Sequence, residues 1–314
     1  MASSKSVVIA ALFANAAIAV LKFVGFLLTQ SPAMLSETYH SVSDTGNQIF
    51  LLIGLRYGEK EATRGHPFGY GKAQFFYSFL VSVFLFGIAG WESAKHGYEA
   101  IVHHESAALA GQVTLLGSTF PAVWVNYGVL LGGIAFEGWA FMKAYRAMDA
   151  DIRAHGWSGF AEGFRKTSNV TTLTALTEDT IALTGLALAL VGILLTQATG
   201  NPLFDATAAL LIGVLLMAFA LALAWENKRL LIGESLPLDE ESDLRDIVTD
   251  AECVVHVDDF RTVYFGPERI LVSADVSFDP DLDTEELDDA ISGIESKLRK
   301  ANRGVKGVYI EPEV

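Results

Sequence analysis

The segment from Met34 to Asn47, MLSETYHSVSDTGN, decides how this chain folds. It lies in an apolar block, Pro32–Arg56, which as an α-helix is long enough to cross about 30 Å of hydrocarbon. Four of its polar residues recur at spacings of three and four: Glu37, His40, Asp44 and Asn47. Since such spacings put side chains on one face of a helix, the segment predicts a polar stripe inside a membrane-spanning helix.

Further apolar blocks of similar length accompany this one, and together they predict six membrane-spanning helices. The predicted spans are Val7–Leu28, Pro32–Arg56, Phe75–Ile101, Thr119–Tyr145, Val170–Thr196 and Pro202–Ala224. Lysine and arginine concentrate in every second connection: Lys60, Arg64 and Lys72, then Arg146, Arg153, Arg165 and Lys166, then Lys228 and Arg229. Because basic loops stay in the cytoplasm, we expect both termini there, in a multi-pass protein of the cell (inner) membrane.

The composition changes at Gly233. From there to Val314 the chain holds 22 acidic and 8 basic residues, so nearly all of the net charge of −15 lies in this tail. Such an acidic surface argues against nucleic acid as a partner, because nucleic acid requires a basic patch. We therefore predict two domains, a six-helix transmembrane domain at 1–232 and a cytoplasmic domain at 233–314.

The tail is predicted to be a small two-layer α+β domain with the order α-β-β-α-β. The predicted elements are a helix at Asp239–Val248, strands at Val254–Phe265 and Ile270–Phe278, a helix capped by Thr284, and a strand at Val305–Glu311. The second strand alternates apolar and polar residues, which is the period of a half-buried strand.

Ionisable residues in the predicted spans point to a metal site, since such groups inside a membrane usually face a cavity or a partner. An imidazole and a carboxylate one turn apart, as in His40 and Asp44, suit a borderline divalent metal such as zinc. Asp179 in the fifth span is the expected third ligand, and the adjacent Glu178, or a water, the fourth. Adjacent residues point about 100° apart on a helix, so both can coordinate only if the backbone bends. A polar clasp between helices is the alternative.

The remaining intramembrane polar groups are predicted to assist the site. Glu37 and Asn47 share the helix face of the metal-binding pair and are candidate accessory ligands. Glu137 in the fourth span is expected to gate the cavity or to carry a proton. Lys22 in the first span is expected to reach the interface or to neutralise a carboxylate.

The segment Met34–Asn47 resembles the second-helix signature of the cation diffusion facilitator family of divalent-metal transporters. Other family-like segments are HPFGYGK at His66–Lys72, LLIGE at Leu230–Glu234, Gly266-Pro267, and IEPE at Ile310–Glu313. Within the family, TEDT at 177–180 and GNPLFD at 200–205 are most similar to the branch that includes the mitochondrial zinc transporter of animals. The resemblance covers essentially the whole chain.

The resemblance implies a homodimer, joined through the tail domains, that exports a divalent metal in exchange for protons by alternating access. The family site uses two residues four apart on the second helix, matched by His40 and Asp44, and two four apart on the fifth. Asp179 matches the later of these, whereas the earlier falls on Ala175, which leaves Glu178 as the substitute. No resident cofactor is implied, because the metal is cargo. Zinc is the expected metal, with manganese, iron or cobalt as alternatives.

Two histidines outside the spans match further metal positions of the family only partly. His66 matches in the loop before the third helix, but Thr63 and Tyr70 stand where other members place an acid and a second histidine. A structural loop histidine is therefore the alternative. His256 is the one histidine of the tail, three residues after Cys253, and is a candidate for a weak regulatory site.

Two other classes of protein are the alternatives to a transporter. A membrane-embedded metallohydrolase could activate water on a metal held by His and Asp, but the sequence contains no H-E-x-x-H or similar motif. A metal sensor that transports nothing would concentrate its ligands in the tail, whereas here they concentrate in the spans. The sequence thus predicts a transporter and not an enzyme.

Overall fold

The protein is described from a computed structural model. The structure describes residues 4–103, 112–115, 118–160, 162–163, 170–267 and 269–313. Arg165 and Lys166, expected in a basic loop, lie outside the described residues. The chain forms two compact units, the first made of Met1–Ile49 and Val81–Ala222, the second of Phe50–Leu80 and Leu223–Val314.

Helices account for all six predicted spans in the part of the chain that the structure describes. Their bounds are Ser4–Thr29 (α1), Pro32–Gly58 (α2), Lys72–Phe84 (α3), Trp91–His103 (α4), Val123–His155 (α5), Val170–Thr199 (α6) and Leu203–Ile232 (α7). A π-helical segment, Leu85–Gly90, joins α3 and α4 into one span. Among the described residues, the segments Lys72–His103, Leu176–Thr199 and Leu203–Ile232 are long and apolar enough to cross a membrane by composition alone.

The predicted bounds of the fourth span, Thr119 to Tyr145, are wrong at both ends. Residues Ser118–Pro121 (β2) pair with Gln112–Leu115 (β1) in an antiparallel hairpin, and α5 begins only at Val123. The later start of α5 has a local cause, because Thr119 and Phe120 favour a strand. Pro121 has no N–H to donate to a further strand hydrogen bond, and the strand ends there. At the other end, nothing after Tyr145 breaks the helix until Gly156, whose φ of 67° makes it a left-handed C-cap.

Arg146 and Arg153, expected in a loop, consequently lie on the last turns of α5. The ion pair between Arg153 Nη2 and Asp149 Oδ2, 2.6 Å long and one turn apart, supports this extension.

Glycines allow the α3–α4 span to pack closely on α7. A Cβ atom at Gly97 would collide with the backbone of Leu210, and one at Gly213 with the backbone of Ala94. Lipid supplies little hydrophobic drive for helix association, so small residues and close van der Waals contact take its place. The core of the first unit contains large side chains from α2, α5, α6 and α7 that are almost fully buried: Met34, Leu130, Leu186, Ile193, Ile212 and Leu216.

The tail has the predicted order α-β-β-α-β. Its elements are Leu238–Thr249 (α8), Val254–Gly266 (β3), Arg269–Phe278 (β4), Thr284–Ala301 (α9) and Val305–Glu313 (β5). The sheet order is β3-β4-β5, antiparallel for the first pair and parallel for the second. A parallel pair needs a crossover, which α9 supplies. The apolar side of β4 is buried, as its alternation predicted: Ile270, Val272, Ala274, Val276 and Phe278.

The sequence predicted Thr284 as the N-cap of α9, but the N-cap is Asp283. The Oδ1 atom of Asp283 accepts hydrogen bonds from the backbone N–H groups of Glu285 and Glu286, each 2.9 Å long. In return, Glu286 Oε2 accepts from the Asp283 N–H at 3.0 Å, which completes a capping box. Two cap-forming residues stand side by side here, and the glutamate three residues after Asp283 decides between them.

We expect Asp283→Ala to destabilise α9 by about 1 kcal/mol, because two backbone N–H groups lose their acceptor. Amide hydrogen exchange across Thr284–Ala301 should then accelerate about fivefold. Thr284→Ala is the matched control and should leave exchange nearly unchanged. Equal acceleration in the two variants would contradict the assignment of the cap.

Candidate metal site

The predicted pair on α2 is in contact. His40 Nε2 lies 3.3 Å from Asp44 Oδ2, one turn along the helix. The His40 side chain is 6% exposed and that of Asp44 20% exposed, so both lie in the interior of the first unit. An uncharged polar clasp would bury the same groups, so this contact alone leaves the role of the pair open.

Carboxylates from two other helices act on this pair. Glu137 of α5 interacts electrostatically with both His40 and Asp44, Glu178 of α6 with both, and Asp179 with Asp44. All three carboxylates are partly buried. Among the described residues, however, no three His, Cys, Asp or Glu side chains are already gathered within metal-binding distance. The structure thus brings together two of the predicted ligands and places the others within electrostatic range.

The packing of α6 on α2 explains why Asp179 and Asp44 are at the same depth. The two helices touch at Gly185, where an added Cβ atom would lie 2.6 Å from Glu37 Oε1 and 4.0 Å from His40 Nδ1. At 1.5 Å per residue, Asp179 is about 9 Å from Gly185 along α6, and Asp44 is about 10 Å from Glu37 along α2. The second and fifth of six alternating spans run antiparallel, so these two displacements have the same direction.

A buried ion pair lies one turn from the site. Lys22 Nζ of α1 donates a hydrogen bond of 2.7 Å to Glu37 Oε2, and the two side chains are 6% and 1% exposed. The expectation that Lys22 neutralises a carboxylate is therefore confirmed. Glu37, predicted as an accessory ligand, has one oxygen engaged by Lys22. Asn47 follows Asp44 by three residues on α2 and is partly buried.

Polar contacts close the end of the helix bundle at which α1 passes into α2. Asn126 Nδ2 of α5 donates to Thr29 Oγ1 at 2.8 Å, and the backbone N–H of Asp205 donates to Thr196 Oγ1 at 3.1 Å. Thr29, Asn126 and Asp205 are fully buried. This end of the first unit is thus tightly packed around polar groups.

The two histidine candidates outside the spans lie in the second unit. The His66 ring stacks on Tyr70 with 4.3 Å between ring centroids, and its backbone pairs with that of Thr63. These contacts agree with a structural loop histidine. His256 is 69% exposed, and its Nε2 atom lies 4.0 Å from Asp258 Oδ1. That distance is long for an ion pair, and the described residues gather no third ligand there.

The role of Gly185 in the packing of α6 on α2 could not be predicted from the spacing of ligands. A single glycine among large apolar residues in ALTGLALAL carries no metal-binding group, so ligand spacing could not identify it. The glycine itself was the available signal. In a helix interior, glycine costs about 1 kcal/mol of helix stability relative to alanine, so its presence usually has a packing reason.

Lys22→Met should destabilise the protein by about 3–5 kcal/mol, because it leaves Glu37 as an unpaired buried charge. Adding Glu37→Gln should recover most of that loss, since the amide is neutral. Lys143→Met on the exposed side of α5 is the control and should cost less than about 0.5 kcal/mol. Thermal unfolding in detergent measures all three variants. A Lys22→Met protein as stable as the control would refute the buried pair.

Comparison with known proteins places these observations in a family. The profile of the cation efflux transmembrane domain matches residues 8–232, and that of the cation efflux protein cytoplasmic domain matches 236–313. The proton-coupled zinc antiporter SLC30A9, mitochondrial, of Xenopus laevis is 29% identical over 273 residues, which are 87% of this chain and 46% of the relative. Metal tolerance protein C4 of Arabidopsis thaliana is 25% identical over 276 residues, 88% of this chain and 57% of the relative.

An uncharacterized transporter of Methanocaldococcus jannaschii is 21% identical over 304 residues, 96% of this chain and 94% of the relative. The chain thus spans about half the length of the two eukaryotic relatives and nearly all of the archaeal one. The two profiles together cover almost every residue, and they describe a transporter family and not an enzyme family. This chain belongs to the cation efflux family, with a helical transmembrane domain and a C-terminal domain of helices and mixed sheet.

Proposed function

We propose that this chain exports a divalent metal ion from the cytoplasm in exchange for protons, by alternating access, with zinc as the preferred ion. The observation that carries the proposal is the buried His40–Asp44 contact, 3.3 Å long, within a cation efflux transmembrane domain. One imidazole with carboxylates suits zinc. The names of two relatives, a proton-coupled zinc antiporter and a metal tolerance protein, agree with this cargo.

The proposed site joins α2 to α6. His40 and Asp44 supply two ligands and Asp179 the third, while Glu178 takes the place that Ala175 cannot fill. Nearby carboxylates attract a dication into a region where an isolated charge is costly. This attraction is the reason that a dehydrated ion can occupy the membrane interior.

Proton coupling follows from the chemistry of these ligands. A metal binds the deprotonated forms of histidine and carboxylate, so metal entry releases protons and proton entry displaces metal. Histidine titrates near neutral pH, which lets modest proton gradients drive the exchange. Rocking of the helices then exposes the site to one side of the membrane at a time.

The proposed setting is the cell (inner) membrane, with both termini in the cytoplasm and a homodimer as the working form. Basic residues in alternate connections support this orientation, including Lys60 and Arg64 between α2 and α3. The match of residues 236–313 to the family's cytoplasmic domain supports pairing through the tail. We also propose the division into domains at 1–232 and 233–314.

Asp44→Ala and Asp179→Ala should each abolish zinc transport while leaving the protein folded, because each removes a carboxylate that the ion needs. Asp149→Ala is the control, since Asp149 pairs with Arg153 one turn along α5 and is not among the proposed ligands. Zinc flux into proteoliposomes under a proton gradient is the measurement, repeated with manganese, iron and cobalt. Wild-type flux in either site variant would refute the site assignment.

The fourth ligand is tested separately. Glu178→Gln should weaken zinc binding at least about tenfold if its carboxylate coordinates, a loss of about 1.4 kcal/mol. Ala175→His restores the family pattern and should raise the preference for zinc over manganese, because imidazole favours zinc and oxygen ligands favour manganese. Competition binding of the two metals to purified protein measures both effects. Unchanged affinities in Glu178→Gln would show that Glu178 only packs against its neighbours.

A further inference from the structure

The two ring nitrogens of His40 have different surroundings. Nε2 lies 3.3 Å from Asp44 Oδ2, whereas Nδ1 is buried and has no hydrogen-bond partner among the described residues. A histidine that binds metal through one nitrogen normally donates the other N–H to a carboxylate, a carbonyl or water. A buried polar atom without a partner also costs free energy. The Nδ1 atom of His40 therefore lacks the polar partner that a buried ring nitrogen requires.

Glu37 has the same asymmetry. Its Oε2 atom accepts from Lys22, while its Oε1 atom is buried and unpaired within the described part of the chain. Glu37 is 0% exposed and His40 4% exposed as whole residues. Both unpaired atoms lie within 4.0 Å of one point, the place where a Cβ atom of Gly185 would be. An unpaired carboxylate oxygen and an unpaired imidazole nitrogen thus lie beside the same point of α6, which the glycine leaves without a side chain.

We propose that Glu37 Oε1 and His40 Nδ1 form a second, weaker position for the divalent cation, on the opposite side of the imidazole from Asp44. The inference rests on the proposed function and deepens it, because it divides one site into two successive positions. Glu37 precedes His40 by one turn, so the second position lies toward the end of the bundle at which α1 passes into α2. His40 belongs to both positions, one at a time, because a neutral imidazole offers one lone-pair nitrogen. The ion passes from Nε2 to Nδ1 as the ring proton moves through water from Nδ1 to Nε2, and water completes the coordination.

Lys22 keeps the second position weak. Its ammonium group neutralises Glu37 while no ion is present, and its fixed positive charge repels a dication that arrives there. An ion on a transport path must bind well enough to enter and weakly enough to leave. Lys22 meets that requirement, because it is hydrogen-bonded to one oxygen of Glu37 and adds no coordinating group of its own.

The first test removes the second position and keeps the first. Lys22→Met/Glu37→Gln replaces the ion pair by a neutral pair, and Gly185→Ala fills the space between the two unpaired atoms. In both variants we expect zinc affinity in detergent within about threefold of the wild type and a maximum transport rate at least about tenfold lower. Gly132→Ala on α5 is the control for the glycine, since no atom of the described residues lies within 4 Å of its added Cβ atom. Wild-type transport rates in both folded variants would overturn the proposal.

The second test concerns Lys22 alone. Lys22→Met frees Glu37 for the ion, so zinc affinity measured by calorimetry should rise at least about tenfold, and the rise should vanish when Glu37→Gln is added. An unchanged affinity in Lys22→Met, or the same rise with and without Glu37→Gln, would overturn the inference and leave the proposed function intact. A wild-type protein that binds no zinc would overturn both. If Lys22→Met alone does not fold, the transport rates of Lys22→Met/Glu37→Gln and Gly185→Ala still test the second position.

Discussion

The contact between Lys22 and Glu37 is the interaction on which the arrangement of the first unit depends. It ties α1 to α2 in a region where neither charge can remain alone, and it holds the Glu37 carboxylate against α6 at Gly185. Once these three helices meet there, the spacing along α2 determines where His40 and Asp44 lie. The same rise along α6 brings Asp179 to the depth of Asp44.

Charge imbalance is the second consequence of this arrangement. Around the pair on α2, the electrostatic neighbours include four more carboxylates, Glu37, Glu137, Glu178 and Asp179, and one ammonium, that of Lys22. Hydrocarbon tolerates such an excess of negative charge only where protons or metal ions compensate it. Under the proposed function, this arrangement ties occupancy by a dication to occupancy by protons.

The main elements could be predicted because they follow from strong, repeated signals. The spans follow from the length of the apolar blocks, and the tail order from the alternation of β4 and the cap-forming residue before the next helix. The bounds of α5 were missed since Thr119 lies next to an apolar block without belonging to it, and Arg146 and Arg153 look like loop residues while extending a helix. The cap at Asp283 depends on a side-chain contact with Glu286. The sequence does not show this contact directly, because the adjacent Thr284 is also a cap-forming residue.

In the candidate site, contacts within one helix could be predicted and contacts between helices could not. His40 and Asp44 were predictable because both lie on one helix, where periodicity determines proximity. Neutralisation of a carboxylate was one of two expectations for Lys22, without Glu37 as its partner, and the close approach at Gly185 was not predicted at all. Both are contacts between helices, and a single sequence contains no direct record of how its helices pack.

The sheet order of the tail has a consequence for folding. Gly266 at the end of β3 pairs with Arg269 at the start of β4, so only two residues separate the paired ends and this contact can form early. Strand β5 pairs with β4 only after the chain has passed through the whole of α9, and a longer loop closes more slowly. During synthesis, the edge of β4 that faces β5 therefore stays unpaired until β5 arrives, and the sheet is complete only when residues 305–313 have emerged.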